Sequence, residues 1–279
     1  MRFLIADGKV VEKEKFHFYE ELTGSQPGLN QEMWYGYGGI PLFNENISLL
    51  KVQAESLKMT FPEEFQNTRE LFRLVKRMLN KNKYYRSGHV LFQLFTGKSS
   101  IHTLVTSTAF TDFTFPFSEE GLLMRFSTLK KYSFNKLNRL SFFNERLWQA
   151  SLAEIHDPQV TQSVILNEND YVCECAFANL FMMVGNELAT PSVESGSCVK
   201  ALRPLLMEAA ARIGLKVTEK AFISKEYLLN ADELFCASES SGIQWVLGIE
   251  NQRFIHYFSQ RINEELNTLL KIKAASHPL

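Results

Sequence analysis

Little in this chain is extreme, and each thing it lacks removes a class of function. Its 30 Lys and Arg stand against 31 Asp and Glu, a net charge of −1. No positive surplus is left to draw nucleic acid or an anionic membrane surface, so neither is expected as a partner. The four cysteines, Cys173, Cys175, Cys198 and Cys236, form no Cys-x-x-Cys pair, which argues against a zinc site and for a reducing, cytoplasmic compartment. The six histidines, His17, His89, His102, His156, His256 and His277, include no His-Glu-x-x-His spacing, so no metal is expected. No stretch approaches the roughly 20 apolar residues of a membrane span. The opening apolar run, Phe3-Leu4-Ile5-Ala6, is too short for the core of a secretory signal. Internal repeats and low-complexity segments are absent as well.

What remains is the composition of a folded domain protein. The chain has 279 residues, 45% of them hydrophobic and 22% charged, with 23 Phe to fill a core. That length suits one large or two ordinary domains. Strand and helix signals are mixed, so the fold class is α/β, or α+β. Residues 3–11 read as a hairpin turning at Asp7-Gly8. Ile47, Leu50, Ala54 and Leu57 recur at helical spacing, as do Leu71, Leu74, Val75, Met78 and Leu79, with Asn80-Lys81-Asn82 as the stop. Residues 88–95 and 101–107 read as strands around the turn Gly97-Lys98-Ser99-Ser100. The glycines of Gly36-Tyr37-Gly38-Gly39 read as a turn, because no helix follows them to make a dinucleotide site.

The segment 111–121, with a proline among aromatics and then acidic residues and glycine, reads as the connection between domains. An N-terminal α/β domain is expected over 1–115 and a C-terminal α/β domain over 116–279. In the second, a helix is expected at about 140–155, strands at 163–166 and 171–173, and a hairpin turning at Gly185-Asn186. Residues 201–213 carry the clearest helical pattern, with Pro204 in its first turn and Gly214 as its stop.

The most informative stretch is 171–190, YVCECAFANLFMMVGNELAT. Glu174 lies in what otherwise reads as a buried strand, where a charge costs several kcal/mol unless a cation is fixed beside it. The ordinary alternative is a strand-end glutamate pointing to water. Cys173 and Cys175 read as small core residues.

Glu174, Ala176, Asn179-Leu180-Phe181 and Leu188-x-Thr190 resemble the first half of the signature of class IV (fold-type IV) pyridoxal-phosphate enzymes. That family includes branched-chain and D-amino-acid aminotransferases and aminodeoxychorismate lyase. The opening hairpin, Gly39-Ile40-Pro41-Leu42 and Asn230-Ala231-Asp232-Glu233-Leu234-Phe235 follow the family in order. The resemblance implies a two-domain fold like that of D-amino-acid aminotransferase, pyridoxal 5'-phosphate (PLP) as cofactor, a homodimer, and an amino donor and keto acid as substrates.

It also implies site residues. A lysine holds the cofactor's aldehyde and then moves the substrate α-proton, while a carboxylate faces the pyridine nitrogen. Glu174 takes the carboxylate role and Lys136 the lysine role, with Lys131 and Lys130 as alternatives. Asn179 belongs to the same signature. Phosphate is expected at the start of the 201–213 helix, on the amides of Ala201 and Leu202 beside Arg203, with Lys200 adding charge, and at the loop carrying Ser238, Glu239 and Ser240. Departures are clear: Lys200, Ala201 and Leu202 stand where the family has glycine, a branched aliphatic residue and threonine. Leu49 and Thr96 stand where family members place arginines. The expected activity is class IV amino transfer on a small amino acid or amino-carboxylate. The alternatives are the lyase reaction that makes 4-aminobenzoate, or a degenerate homologue that has lost catalysis and acts in binding or assembly.

Overall fold

A computed structural model describes residues 1–16, 26–96 and 101–276. The turn expected at 97–100, Lys98, His17 and His277 lie outside the described residues. The chain divides into two units, Met1–Phe115 together with Leu270–Leu279, and Pro116–Leu269.

In the first unit, β1 (Phe3–Ala6) and β2 (Lys9–Glu12) form the hairpin that Asp7-Gly8 announces. Both turn residues have positive φ, 43° and 72°, the geometry that Asp-Gly turns favour. They join β3 (Gln26–Tyr35), β4 (Ser87–Thr96) and β5 (Ile101–Phe110) in an antiparallel sheet of order β2-β1-β5-β4-β3. Helices α1 (Phe43–Ser56), α2 (Glu63–Gln66) and α3 (Thr68–Asn82) lie between β3 and β4 in sequence.

Phenylalanines join this sheet to its helices. The ring of Phe92 on β4 meets Phe43 of α1 at 6.3 Å and Phe65 of α2 at 5.5 Å, both edge on. Each such ring withdrawn from water stabilises the fold by about 1.5–3 kcal/mol. The Asn67 side chain caps α3 by accepting from the Glu70 amide, and Lys83 ends the helix in the left-handed region. Gly36 and Gly39 bridge across the tight turn expected there.

The second unit carries a mixed sheet. Its strands are β6 (Leu122–Lys131), β7 (Val160–Asn167), β8 (Val172–Cys175), β9 (Asn179–Val184), β10 (Glu187–Pro191), β11 (Lys216–Lys220), β12 (Glu233–Ser238), β13 (Gly242–Ile249) and β14 (Gln252–Arg253). The order runs β11-β10-β9-β12-β13-β6-β7-β8, with β14 on β13. The backbones of Cys175 and Ala178 exchange hydrogen bonds of 3.1 and 3.2 Å, which carries the end of β8 straight into the start of β9. Helices α4 (Glu145–Ala153), α5 (Leu202–Arg212), α6 (Lys225–Leu229) and α7 (Tyr257–Ser276) complete the described elements.

Three sequence expectations change here. The helix expected at about 140–155 opens as a 3-10 turn, Ser141–Asn144, and is α-helical only over α4, with a separate 3-10 turn, Lys136–Arg139, ahead of it. The strand β6 was not foreseen, because Arg125, Lys130 and Lys131 break its apolar alternation and its register with β7 shifts between Phe126 and Lys130. Residues 270–279 group with the first unit rather than the second. Leu270 and Ala274 are buried, and Lys273 pairs with Glu45 of α1 at 2.9 Å.

Candidate active site

The site grows from three neighbouring strands. Lys131 is the last residue of β6, and Glu174 sits on β8 opposite Ile165 of β7, the strand between them. Both charged side chains reach over β7 into one dry space. Lys131 Nζ lies 2.6 Å from Glu174 Oε1, with side-chain exposures of 0% and 1%. A buried carboxylate needs its lone pairs filled, and two more donors fill them. Trp148 Nε1 of α4 donates to Oε1 at 2.8 Å, and the Cys198 amide donates to Oε2 at 2.6 Å.

The surroundings fix each of these groups. Where the chain leaves β6, the Glu168 amide donates to the Lys131 carbonyl at 3.0 Å. The Ser133 amide and hydroxyl each donate to the Glu168 carboxylate at 2.8 Å. The Cys198 carbonyl accepts from Asn179 Nδ2 at 3.0 Å, and its Sγ is met by Asn144 Nδ2 at 3.2 Å and Lys131 Nζ at 3.5 Å. Gly196 turns this loop at φ 101° and passes so near Ser133 that an added Cβ would meet its Cα at 3.3 Å.

Electrostatics follow from the dryness. Burial works against the charge on Lys131, but the Glu174 carboxylate outweighs it and holds the amine above the ordinary lysine range. Burial, reinforced by Glu174, pushes the Cys198 thiol up to about 12, so it stays protonated.

The site residues expected from sequence separate into groups. Glu174 and Asn179 lie in this cluster, Asn179 as the fastener of the Cys198 loop. Lys136 does not: it is exposed on the 3-10 turn, five residues beyond the lysine that reaches Glu174. Ala201 occupies the N-cap of α5 without any side-chain cap, and Leu202 is buried as the first helical residue. Arg203 turns inward, 5% exposed, bonding the Pro191 carbonyl at 2.6 Å and Glu219 at 2.5 Å. Burial lowers its pKa against the pull of Glu219. That pairing ties α5 to β10 and β11 and commits the guanidinium there. Ser238 follows Ala237, which pairs with Asn179, so the end of β12 comes to the edge where β9 begins. Its hydroxyl is shared with those of Ser240 and Ser241 at 2.9 and 2.7 Å. Glu239 is half-buried, Leu49 is half-buried on α1, and Thr96 is exposed at the end of β4.

Sequence reasoning missed Trp148 and Cys198 as neighbours of Glu174. Lys200 Nζ stands 4.6 Å above the Trp148 ring and donates to Ser141 Oγ at 3.1 Å. Trp148 was readable only as an apolar helix position, and the contact with Glu174 depends on where α4 is set against β8. Among the described residues no group of three or more His, Cys, Asp or Glu could hold a metal ion.

A profile of the class IV amino-transferase family matches residues 40–249. The chain belongs to that family. A probable branched-chain-amino-acid aminotransferase of Thermotoga maritima is 31% identical over 91 residues, a stretch covering 33% of this chain and 33% of that relative. The branched-chain aminotransferase of Thermoproteus uzoniensis, solved with norvaline, superposes with a TM-score of 0.84 at 16% identity, covering 98% and 96% of the two chains. The enzyme of Thermobaculum terrenum in its PLP form gives 0.80 at 14% identity, covering 99% and 95%. At such identities the superpositions establish the fold. This member of the class IV family has the fold-type IV architecture, and among the described residues no helix is long and apolar enough to cross a membrane.

Proposed function

We propose that this class IV aminotransferase uses PLP to move the amino group of a small amino acid, with branched-chain amino acids as the substrate class. The observation that carries the proposal is the pair of Lys131 and Glu174, an amine and a carboxylate 2.6 Å apart in a water-excluded space. This donor set suits PLP: an amine able to condense with an aldehyde, a carboxylate beside it, and the first amides of α5, which no side chain caps. The family match supports the reaction class, and the likeness to branched-chain aminotransferases supports the substrate class.

When bound, PLP supplies a reactive aldehyde and an electron-withdrawing ring. Lys131 Nζ must lose its proton to act, and the Glu174 carboxylate 2.6 Å away keeps that proton on the amine until the lysine leaves the pair. Lys131 Nζ, once without its proton, would be the base placed to move the proton of the substrate α-carbon. With Lys131 moved off it, Glu174 would be the group to hold a proton at the ring nitrogen. Ala201 and Leu202 amides, with Lys200 nearby, take the place that Leu49 and Leu202 leave without arginine and hydroxyl. A homodimer in the cytoplasm goes with this reading; light scattering on the purified protein tests the assembly. The lyase reaction has no observation that favours it.

The deciding experiment adds PLP to purified protein, desalts it and reduces with borohydride. The reading requires a retained chromophore and a reduced adduct on Lys131, lost in Lys131→Ala and kept in Lys136→Ala. An adduct on Lys136 would transfer the role to that residue, and a colourless protein would point to a fold that has outlived its chemistry.

A further inference from the structure

Three donors surround Glu174, and they differ in kind. Lys131 is charged, and its long side chain must move for it to react. The Cys198 amide belongs to a loop that Asn179 fastens to β9, with its carbonyl and thiol both engaged. Trp148 is neutral and rigid: its ring packs in a buried cluster with Ile165, Ala176 and Cys198, and Phe177 meets it at 5.0 Å. Lys200, over the ring at 4.6 Å, is held by Ser141. The indole is thus fixed at its edge and over its face, and its N–H points at the one oxygen that Lys131 also uses.

We infer that Trp148 is the positioning residue of this site: its indole N–H shares Glu174 Oε1 with Lys131, holds the carboxylate in place when the amine leaves, and weakens the carboxylate's grip on the ammonium. This rests on the proposed role of Lys131 and Glu174. Two fixed neutral donors keep Glu174 satisfied while Lys131 is engaged elsewhere, so the carboxylate need not rotate or draw in water. With the indole N–H removed, the same oxygen would turn wholly to Lys131 and make the amine harder to free.

The test reads the amine directly and needs no cofactor. Reductive methylation of Lys131 by formaldehyde and cyanoborohydride is followed by mass spectrometry from pH 7 to 10, with exposed Lys130 on the same strand as internal control. In Trp148→Phe the rate at Lys131 should fall about tenfold at a given pH, the size expected for one hydrogen bond to a charged group, with Lys130 unchanged. Because Phe also removes volume, the same measurement is made with 3-benzothienylalanine at position 148, which keeps the ring's shape and replaces only the N–H. A matching fall there supports the inference, and an unchanged profile overturns it. PLP loading is scored separately: a protein that takes no cofactor yet shows the shift defeats the proposed function and leaves this inference standing. Loading without any shift does the reverse.

Discussion

Two glutamates of the second unit each meet lysine, and the contrast between them separates a buried pair from a surface one. Glu174 has one lysine, one indole N–H and one amide, all withdrawn from water. Glu187, at the start of β10, has Lys216 at 2.9 Å, Lys220 at 2.8 Å and the Thr218 hydroxyl, with its side chain 20% exposed. Glu187 has more positive charge at hand, yet water can replace any of its partners. At Glu174 nothing can be replaced cheaply, so each partner there is worth far more when removed. Proximity to lysine alone does not mark a site; dryness does.

The sharpest way to break the comparison is to unpair the buried charges. Glu174→Leu leaves the Lys131 ammonium without its carboxylate and should cost about 3–5 kcal/mol of stability, read as a fall in the urea midpoint. Lys131→Met should cost a similar amount for the opposite charge. The double variant should recover to within about 1 kcal/mol of the parent, because a buried ion pair replaced by apolar groups is often nearly neutral. A double variant as unstable as either single one would mean the pair holds the surrounding fold by more than its charges.

A smaller effect is expected one layer out. Gly196 has φ 101°, and a Cβ there would press on the Ser133 backbone just beyond Lys131. Gly196→Ala should destabilise by about 1–2 kcal/mol, part left-handed strain and part crowding. It should also move the Cys198 amide, so methylation at Lys131 should change in the same variant. A loss of stability without change at Lys131 would show that the loop and the lysine are mechanically separate.

How far the sequence carries this site depends on range. The hairpin at Asp7-Gly8, the helix 202–212 and the β9–β10 hairpin are written in local signals, turn residues and apolar spacing, and they lie where those signals put them. Glu174 was legible because a charge in an apolar run demands a partner. Which lysine meets it was not: the sequence favours Lys136, with Lys131 and Lys130 as alternatives, until β6 is known to run through to residue 131. A strand whose alternation is broken by Arg125 and a register shift gives no clear period of two. Trp148 and Cys198 reach Glu174 from 26 and 24 residues away in sequence, and the tertiary fold alone brings them there.

The smallest effect belongs to Glu187, and pH sharpens it. The Lys220 ammonium first, then the Thr218 hydroxyl and Lys216, pull the Glu187 carboxyl from the ordinary value of 4.5 to about 2. A carboxylate whose folded value is depressed contributes stability above the unfolded value and loses it as pH falls through the folded one. The contribution of Glu187 is therefore complete above about pH 4.5 and gone near pH 2. Screening by water and salt limits it, so Glu187→Gln should cost at most about 1 kcal/mol at neutral pH. The gap in urea midpoint between parent and Glu187→Gln should close between pH 4.5 and 2, and shrink in 1 M salt. A gap that persists at pH 2 would mean that Glu187 stabilises the β10–β11 edge through hydrogen bonds that survive protonation, and the contrast between wet and dry carboxylates would have to be redrawn.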